Sequence, residues 1–286
     1  MKSVVITGVS TGIGFAAAAE LLNKGYKVFG SVRSESDANR LQRLWGPEFV
    51  PLIFDISNDA AVRQAAGLVK DALKGATLTA LINNAGIAHS GPIQFFSLDN
   101  MREQMEINVL GLLRTTQLFL PLLGGIKEKV KTPGKVINIS SVSGIITTPF
   151  MGPYCASKFA VESLSDAMRR EFSVYGIKVV VVQPGPIKTE IWRKAKEQVD
   201  EYPDNIFSPL LANRSAIVDK RSKNALPVEK VATLLRDIIE NKKPRDRYLI
   251  TPNKPMVQLA RRLPVWLQDK LLIKMLLKDN GMSDTK

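Results

Sequence analysis

The chain has 286 residues, 45% of them hydrophobic and 23% charged, the balance of a globular protein long enough to bury an extended core. Lys and Arg number 40 against 27 Asp and Glu, and the resulting net charge of +13 favours anionic ligands or surfaces, while a single cysteine excludes an internal disulfide and gives no sign of a cysteine-based metal site. No apolar run approaches the roughly 20 residues of a membrane-spanning helix, and the glycine-rich turn comes too early for a signal or transit peptide to precede it, so a cytoplasmic protein is expected.

In chain order, β-branched runs predict strands near 3–7, 27–32, 49–54, 78–83, 135–140, 177–183 and 247–251. Helices are predicted between them, near 12–24, 59–74, 99–121, 154–174 and 228–241. Such alternation is the pattern of an α/β fold, here one domain over residues 1–286 built as a Rossmann-type, doubly wound parallel sheet with helices on both faces. Ligands in such sheets sit beyond the carboxyl ends of the strands. The segment 188–226, rich in Lys, Asn, Ser and Pro, reads as a lid over the substrate, and residues 252–286 as a helical extension.

The first strand breaks into Thr7-Gly8-Val9-Ser10-Thr11-Gly12-Ile13-Gly14, a glycine-rich turn leading into an alanine-rich helix. Glycines there permit a tight turn and close approach of a pyrophosphate, and the helix N-terminus offers free N–H groups and a positive dipole end. Gly8, Ser10, Thr11, Gly12, Ile13 and Gly14 are therefore candidate cofactor contacts. Further on, Asn83-Asn84-Ala85-Gly86 ends an apolar strand with residues small enough for backbone approach, which makes Asn83, Ala85 and Gly86 candidates as well, although a plain turn also explains the composition. Asn108 interrupts a helical stretch in which Asn has poor propensity, so a compensating interaction is expected. The one histidine, His89, reads as a loop residue near the pocket.

Tyr154-Cys155-Ala156-Ser157-Lys158 places a phenol and an ammonium four residues apart on one helix face. A nearby ammonium favours phenolate and should pull the phenol below its usual pKa of about 10, which would suit a general acid–base group. Cys155 reads as a packing residue.

Together, Thr7-Gly8-x-x-x-Gly12-Ile13-Gly14, Asn83-Asn84-Ala85-Gly86, Asn108, Ser141 and Tyr154-x-x-x-Lys158 resemble the short-chain dehydrogenase/reductase family in order and spacing, densely over residues 3 to about 190. The resemblance implies a catalytic set of Asn108, Ser141, Tyr154 and Lys158, with Ser141 and Tyr154 on the substrate oxygen, Tyr154 and Lys158 also on the cofactor, and no metal. It implies cofactor contacts from Asp55 and its neighbour Ile56 after the third strand, and from Pro184, Gly185, Ile187 and Thr189. Where NAD-preferring relatives usually carry a carboxylate this chain has Val32, followed by Arg33, whose guanidinium suits the 2′-phosphate of NADP(H). Residues 154–163 and the tail after Tyr248 look most like the retinol dehydrogenase and hydroxysteroid dehydrogenase branch.

The resemblance thus implies an NADP(H)-dependent oxidoreductase for a small lipophilic carbonyl or alcohol, acting as a homodimer or homotetramer. A 3-oxoacyl reductase-type enzyme and a non-catalytic dinucleotide-binding regulatory protein are the alternatives. Residues 241–286 hold 11 basic and 4 acidic side chains. With no nucleic-acid motif present, no nucleic-acid partner is expected, and the extension can be read as a lid, an oligomer contact or a peripheral membrane contact.

Overall fold

The computed structural model describes residues 1–128, 130–189, 204–211, 219 and 222–280. Among them lies one parallel sheet made of β1 (Ser3–Ile6), β2 (Lys27–Val32), β3 (Phe49–Ile53), β4 (Ala80–Asn83), β5 (Lys135–Ile139), β6 (Lys178–Pro184) and β7 (Arg247–Ile250). The strand order is β3-β2-β1-β4-β5-β6-β7. Helices α1 (Gly12–Asn23), α2 (Glu35–Trp45), α3 (Asp59–Leu73), α4 (Leu98–Met105), α5 (Gly111–Phe119), α6 (Gly152–Glu171), the short α7 (Ser208–Leu211), α8 (Val228–Glu240), α9 (Lys254–Ala260) and α10 (Val265–Asp279) complete it.

Successive strand residues point to opposite faces, and both faces are covered, so most strand residues are apolar, as in Ser3–Ile6, Ala80–Asn83 and Lys178–Pro184, rather than alternating with polar ones. Val4 and Ile6 join a core with Ala17, Leu21, Leu41, Val231 and Leu235 from α1, α2 and α8. Val5 joins the opposite core with Val62, Val69, Leu112, Phe119 and Val161 from α3, α5 and α6. The expected doubly wound sheet is present. Because β1 pairs with β2 on one side and β4 on the other, the chain reverses direction across the sheet at β1, and a crevice opens beyond its carboxyl end.

Two stretches differ from the sequence reading. Residues 35–45 form α2, which begins where the Ser34 hydroxyl accepts a hydrogen bond from the Asp37 amide. The expected single helix over 99–121 is instead α4, a π-helical turn over Glu106–Leu110, then α5, closed by a 3-10 turn at Leu120–Leu123. Of the segment read as a lid, residues 190–203, 212–218 and 220–221 lie outside the described residues, as do 281–286 of the extension.

Candidate active site

The loop after β1 is built to leave backbone amides open. Gly8 and Gly12 have φ of 71° and 65°, a left-handed backbone that side chains resist, and a Cβ on Gly14 would stand 2.2 Å from the Gly8 carbonyl oxygen. The Asn84 side-chain amide donates to the carbonyls of Thr7 and Gly8 at 2.9 Å, while the Thr7 hydroxyl accepts from the amides of Asn84 and Ala85, so the β1 and β4 ends are stitched together. Ser31 on β2 accepts from the Gly8 amide at 2.8 Å. Thr11 stands at the N-cap of α1 without a side-chain hydrogen bond and no acidic residue occupies the first turn, whereas Ser34, Asn58 and Ser97 cap α2, α3 and α4. The first-turn amides of α1, over Gly12, Ile13 and Gly14, therefore remain for an anion, and this cradle fits the diphosphate of a dinucleotide.

Around that cradle the structure sorts the expected contacts. Arg33 is exposed at the end of β2, and its charge reaches Asp55. Burial works against ionisation of Asp55, but hydrogen bonds from the Ser57 hydroxyl and amide, with the Arg33 charge, hold its carboxyl below the ordinary value. Ile56 is buried against Gly111 and its carbonyl accepts from Arg114, so its side chain faces the core and not the cleft. Asn83 likewise turns inward: its amide donates to Thr116 and Asn138, bracing β4 against α5 and β5. Ala85 lies against Gly8, where a Cβ would stand 3.1 Å from the Ala85 Cα. Across the crevice, the Gly185 amide donates to Ile250 after β6 ends at Pro184, Ile187 bridges to Leu226, and Thr189 comes up against Gly12. Ser10 offers its carbonyl to Arg40 of α2 at 3.0 Å.

Deeper in the crevice, β5 and α6 bring Ser141, Tyr154 and Lys158 together. Ser141 directly follows β5 and Ser140, and its hydroxyl accepts from the Ser143 amide while bonding the Tyr154 phenol. Helical spacing puts Cys155, Lys158 and Glu162 on the buried side of α6, and Lys158 Nζ donates to the Ile139 carbonyl at 3.0 Å. That ammonium sits 5.7 Å from the centre of the Tyr154 ring.

Burial dominates both titrations. It pushes the Tyr154 phenol up to about 12, against the Ser141 hydrogen bond, and pushes Lys158 down to about 8, against the charge of Glu162. The phenol is thus not lowered as the Tyr-x-x-x-Lys spacing suggested. Desolvation of both charged forms outweighs their attraction, and the ammonium is aimed at a carbonyl rather than at the phenol oxygen.

Asn108 lies in the π-helical turn, nearly fully buried. Its side chain both accepts from the Ile87 amide and donates to the Ile87 carbonyl and the Ser157 hydroxyl, which is the compensation its place in a helix demanded. Gly86 is the close approach here: a Cβ on it would stand 3.0 Å from Asn108 Oδ1 and 3.8 Å from Lys158 Nζ. His89 pairs with Glu103 at 2.8 Å on the surface of α4.

Several residues of this neighbourhood escaped the sequence reading. Glu162 is buried and accepts from Gln183 at 3.0 Å and Arg247 at 3.0 Å, tying α6 to β6 and β7 directly behind Lys158. Its i+4 spacing from Lys158 was a usable signal. Phe150 holds a left-handed φ of 63°, just ahead of α6, and its ring meets Phe207 edge-on at 5.7 Å, so an aromatic pair stands beside the Tyr154 end of the helix. No local pattern announces a contact between residues so far apart in sequence.

The family model for short chain dehydrogenase matches residues 2–200. The chain belongs to this family. It is 43% identical over 279 residues to the NADPH-dependent 3-dehydrocapnine reductase of Ornithobacterium rhinotracheale, covering 98% of this chain and 97% of that protein. Retinol dehydrogenase 16 of Rattus norvegicus is 29% identical over 286 residues, covering 94% and 87% of the two chains. A short-chain dehydrogenase from Streptomyces avermitilis shares the fold with a TM-score of 0.76 at 22% identity, over 98% of this chain and 97% of the other. As a member of the family the chain is an oxidoreductase of carbonyl and alcohol groups.

Proposed function

We propose that this protein is an NADPH-dependent reductase of a ketone carried on a lipophilic chain. The observation that carries the reading is the convergence of Ser141, Tyr154 and Lys158 at the carboxyl end of β5, beside the Phe150–Phe207 aromatic pair. Support for the cofactor comes from Arg33 and from the relative named for NADPH dependence. NADPH, when bound, supplies the hydride.

The protein's own part follows from its residues. The glycine loop and the α1 amides would hold the diphosphate of NADPH, and Arg33 would hold its 2′-phosphate. Ser141 donates a hydrogen bond to the substrate oxygen, and Tyr154, kept protonated by burial, donates the proton that turns it into a hydroxyl. Lys158, tethered to the Ile139 carbonyl, holds a positive charge behind the phenol that offsets the negative charge left on its oxygen. Asn108 fixes the backbone at Ile87 and the hydroxyl of Ser157 around that lysine, and a water beside it would return the proton. Apolar side chains at Phe150 and Phe207 exclude water from one side and favour a hydrocarbon substituent.

The test is a series of methyl ketones of increasing chain length. Each methylene that enters an apolar pocket adds up to about 0.8 kcal/mol, so kcat/KM should climb by a few-fold per carbon until the pocket is filled. A flat series would remove the lipophilic substrate.

Cofactor choice has its own check. Losing a charge-assisted contact to phosphate costs about 1.5–3 kcal/mol, so Arg33→Ala should weaken NADPH roughly ten- to a hundredfold and leave NADH nearly untouched. Equal losses for both, measured by fluorescence titration, would take Arg33 out of the 2′-phosphate site.

A further inference from the structure

The extension after β7 is left unused by this reading. It leaves the sheet at the carboxyl end of β7, on the side of the crevice, where Thr251 packs so tightly on Gly185 that a Cβ there would stand 2.3 Å from the threonine hydroxyl. Beyond that point the chain forms α9 and α10 around Pro264, and none of the apolar side chains from Met256 to Leu277 is fully buried. Val265 is 72% exposed, Trp266 68% and Met275 51%, and Met256, Leu259 and Ile273 are also more than half exposed. Among the described residues nothing covers this apolar surface.

Its charges are equally one-sided. Lys270, Lys274 and Lys278 follow one another at i, i+4 along α10, and Lys254, Arg261 and Arg262 lie on α9 and the turn that follows it. Between residues 254 and 278 the only acidic residue is Asp269. On a helix of 15 residues the lysines occupy one narrow stripe, and the apolar residues fill most of the remaining circumference. Covering this face with a second copy of the chain would bring two sets of basic groups together with few acidic partners, which disfavours that contact. An anionic lipid surface satisfies both halves: hydrocarbon takes the apolar face, headgroups take the lysines, and the tryptophan suits the boundary between them. Among the described residues no helix is long and apolar enough to cross a membrane, so the contact lies along the surface.

We infer that α9 and α10 dock this protein on an anionic bilayer surface. This inference is independent of the substrate assignment, because binding is measured without turnover. Full-length protein should sediment with vesicles of phosphatidylcholine and phosphatidylglycerol at low salt, be released at high salt, and bind poorly to phosphatidylcholine alone. At about a tenfold effect or less per lysine, Lys270→Gln, Lys274→Gln and Lys278→Gln combined should lower partitioning by roughly a hundredfold. Trp266→Ser should weaken binding while preserving its salt dependence. Both variants should retain wild-type NADPH affinity, since the helices lie outside the dinucleotide cradle, and this separates lost docking from lost folding. Absence of vesicle binding by the wild type would overturn the inference, as would equal binding to neutral and anionic vesicles. So would a wild-type oligomer that dissociates in the Trp266→Ser variant with no vesicle binding, because the face would then belong to a second copy.

Discussion

Tyr154→Phe is expected to lower kcat for ketone reduction by about 10²–10⁴-fold while NADPH affinity stays close to wild type. The substitution removes one oxygen, the one that bonds Ser141, and leaves the ring, the helix and the Lys158–Ile139 tether in place. Steady-state kinetics with a cofactor titration separates the two effects. Retention of more than about a tenth of the activity would mean that another group donates the proton. Wild-type enzyme carries a matching pH signature. The phenol, pushed to about 12, stays protonated through the working range, so the titration that matters is that of Lys158, pushed to about 8. Charged below that value and neutral above it, Lys158 loses its role as pH rises, and reduction should fall through about pH 8.

Gly14→Ala should be nearly as damaging, at the cofactor rather than the proton. The new Cβ would stand 2.2 Å from the Gly8 carbonyl oxygen and 2.5 Å from the Asn84 amide nitrogen, and one of these is backbone held at the end of β1. Relief requires the loop to move away from β4, which breaks the Asn84 stitching that shapes the cradle. Overpacking of this kind costs about 1–3 kcal/mol, so NADPH should bind roughly ten- to a hundredfold more weakly and the melting temperature should fall. Gly67→Ala is the control. That glycine lies in α3 with no neighbour within 4 Å of a built Cβ, and alanine there should leave NADPH binding unchanged and raise stability slightly. If both substitutions weakened NADPH alike, the close approach at Gly14 would not be what the cradle depends on.

The strands were readable because parallel strands covered on both faces must be apolar along their whole length, as Val179 to Val182 are. Helix α2 was not, since only Ala38 and Leu41 of its residues are buried and the rest of Glu35–Trp45 is dominated by polar side chains. Ser34 with Asp37 three residues on was the signal available for its start. The π-helical turn around Asn108 leaves no periodic trace, as one wide turn barely shifts a 3.6-residue pattern. Candidate site residues whose type follows from local backbone demands, such as the positive φ of Gly8 and Gly12 and the close approach at Gly14, carry a signal in the chain itself. Those set by distant packing were not: the inward turn of Asn83 and Ile56, and the opposite displacement of the Tyr154 and Lys158 titrations, depend on burial that no short motif encodes.

The central claim, an active reductase and not a silent dinucleotide binder, is tested most directly by mass spectrometry of a long-chain ketone incubated with the protein and NADPH carrying deuterium at both C4 positions of the nicotinamide. The account predicts an alcohol carrying one deuterium on the carbinol carbon for each NADPH consumed, with product formation suppressed in Tyr154→Phe. Tight NADPH binding with no labelled alcohol from any ketone or aldehyde in a broad panel would contradict it.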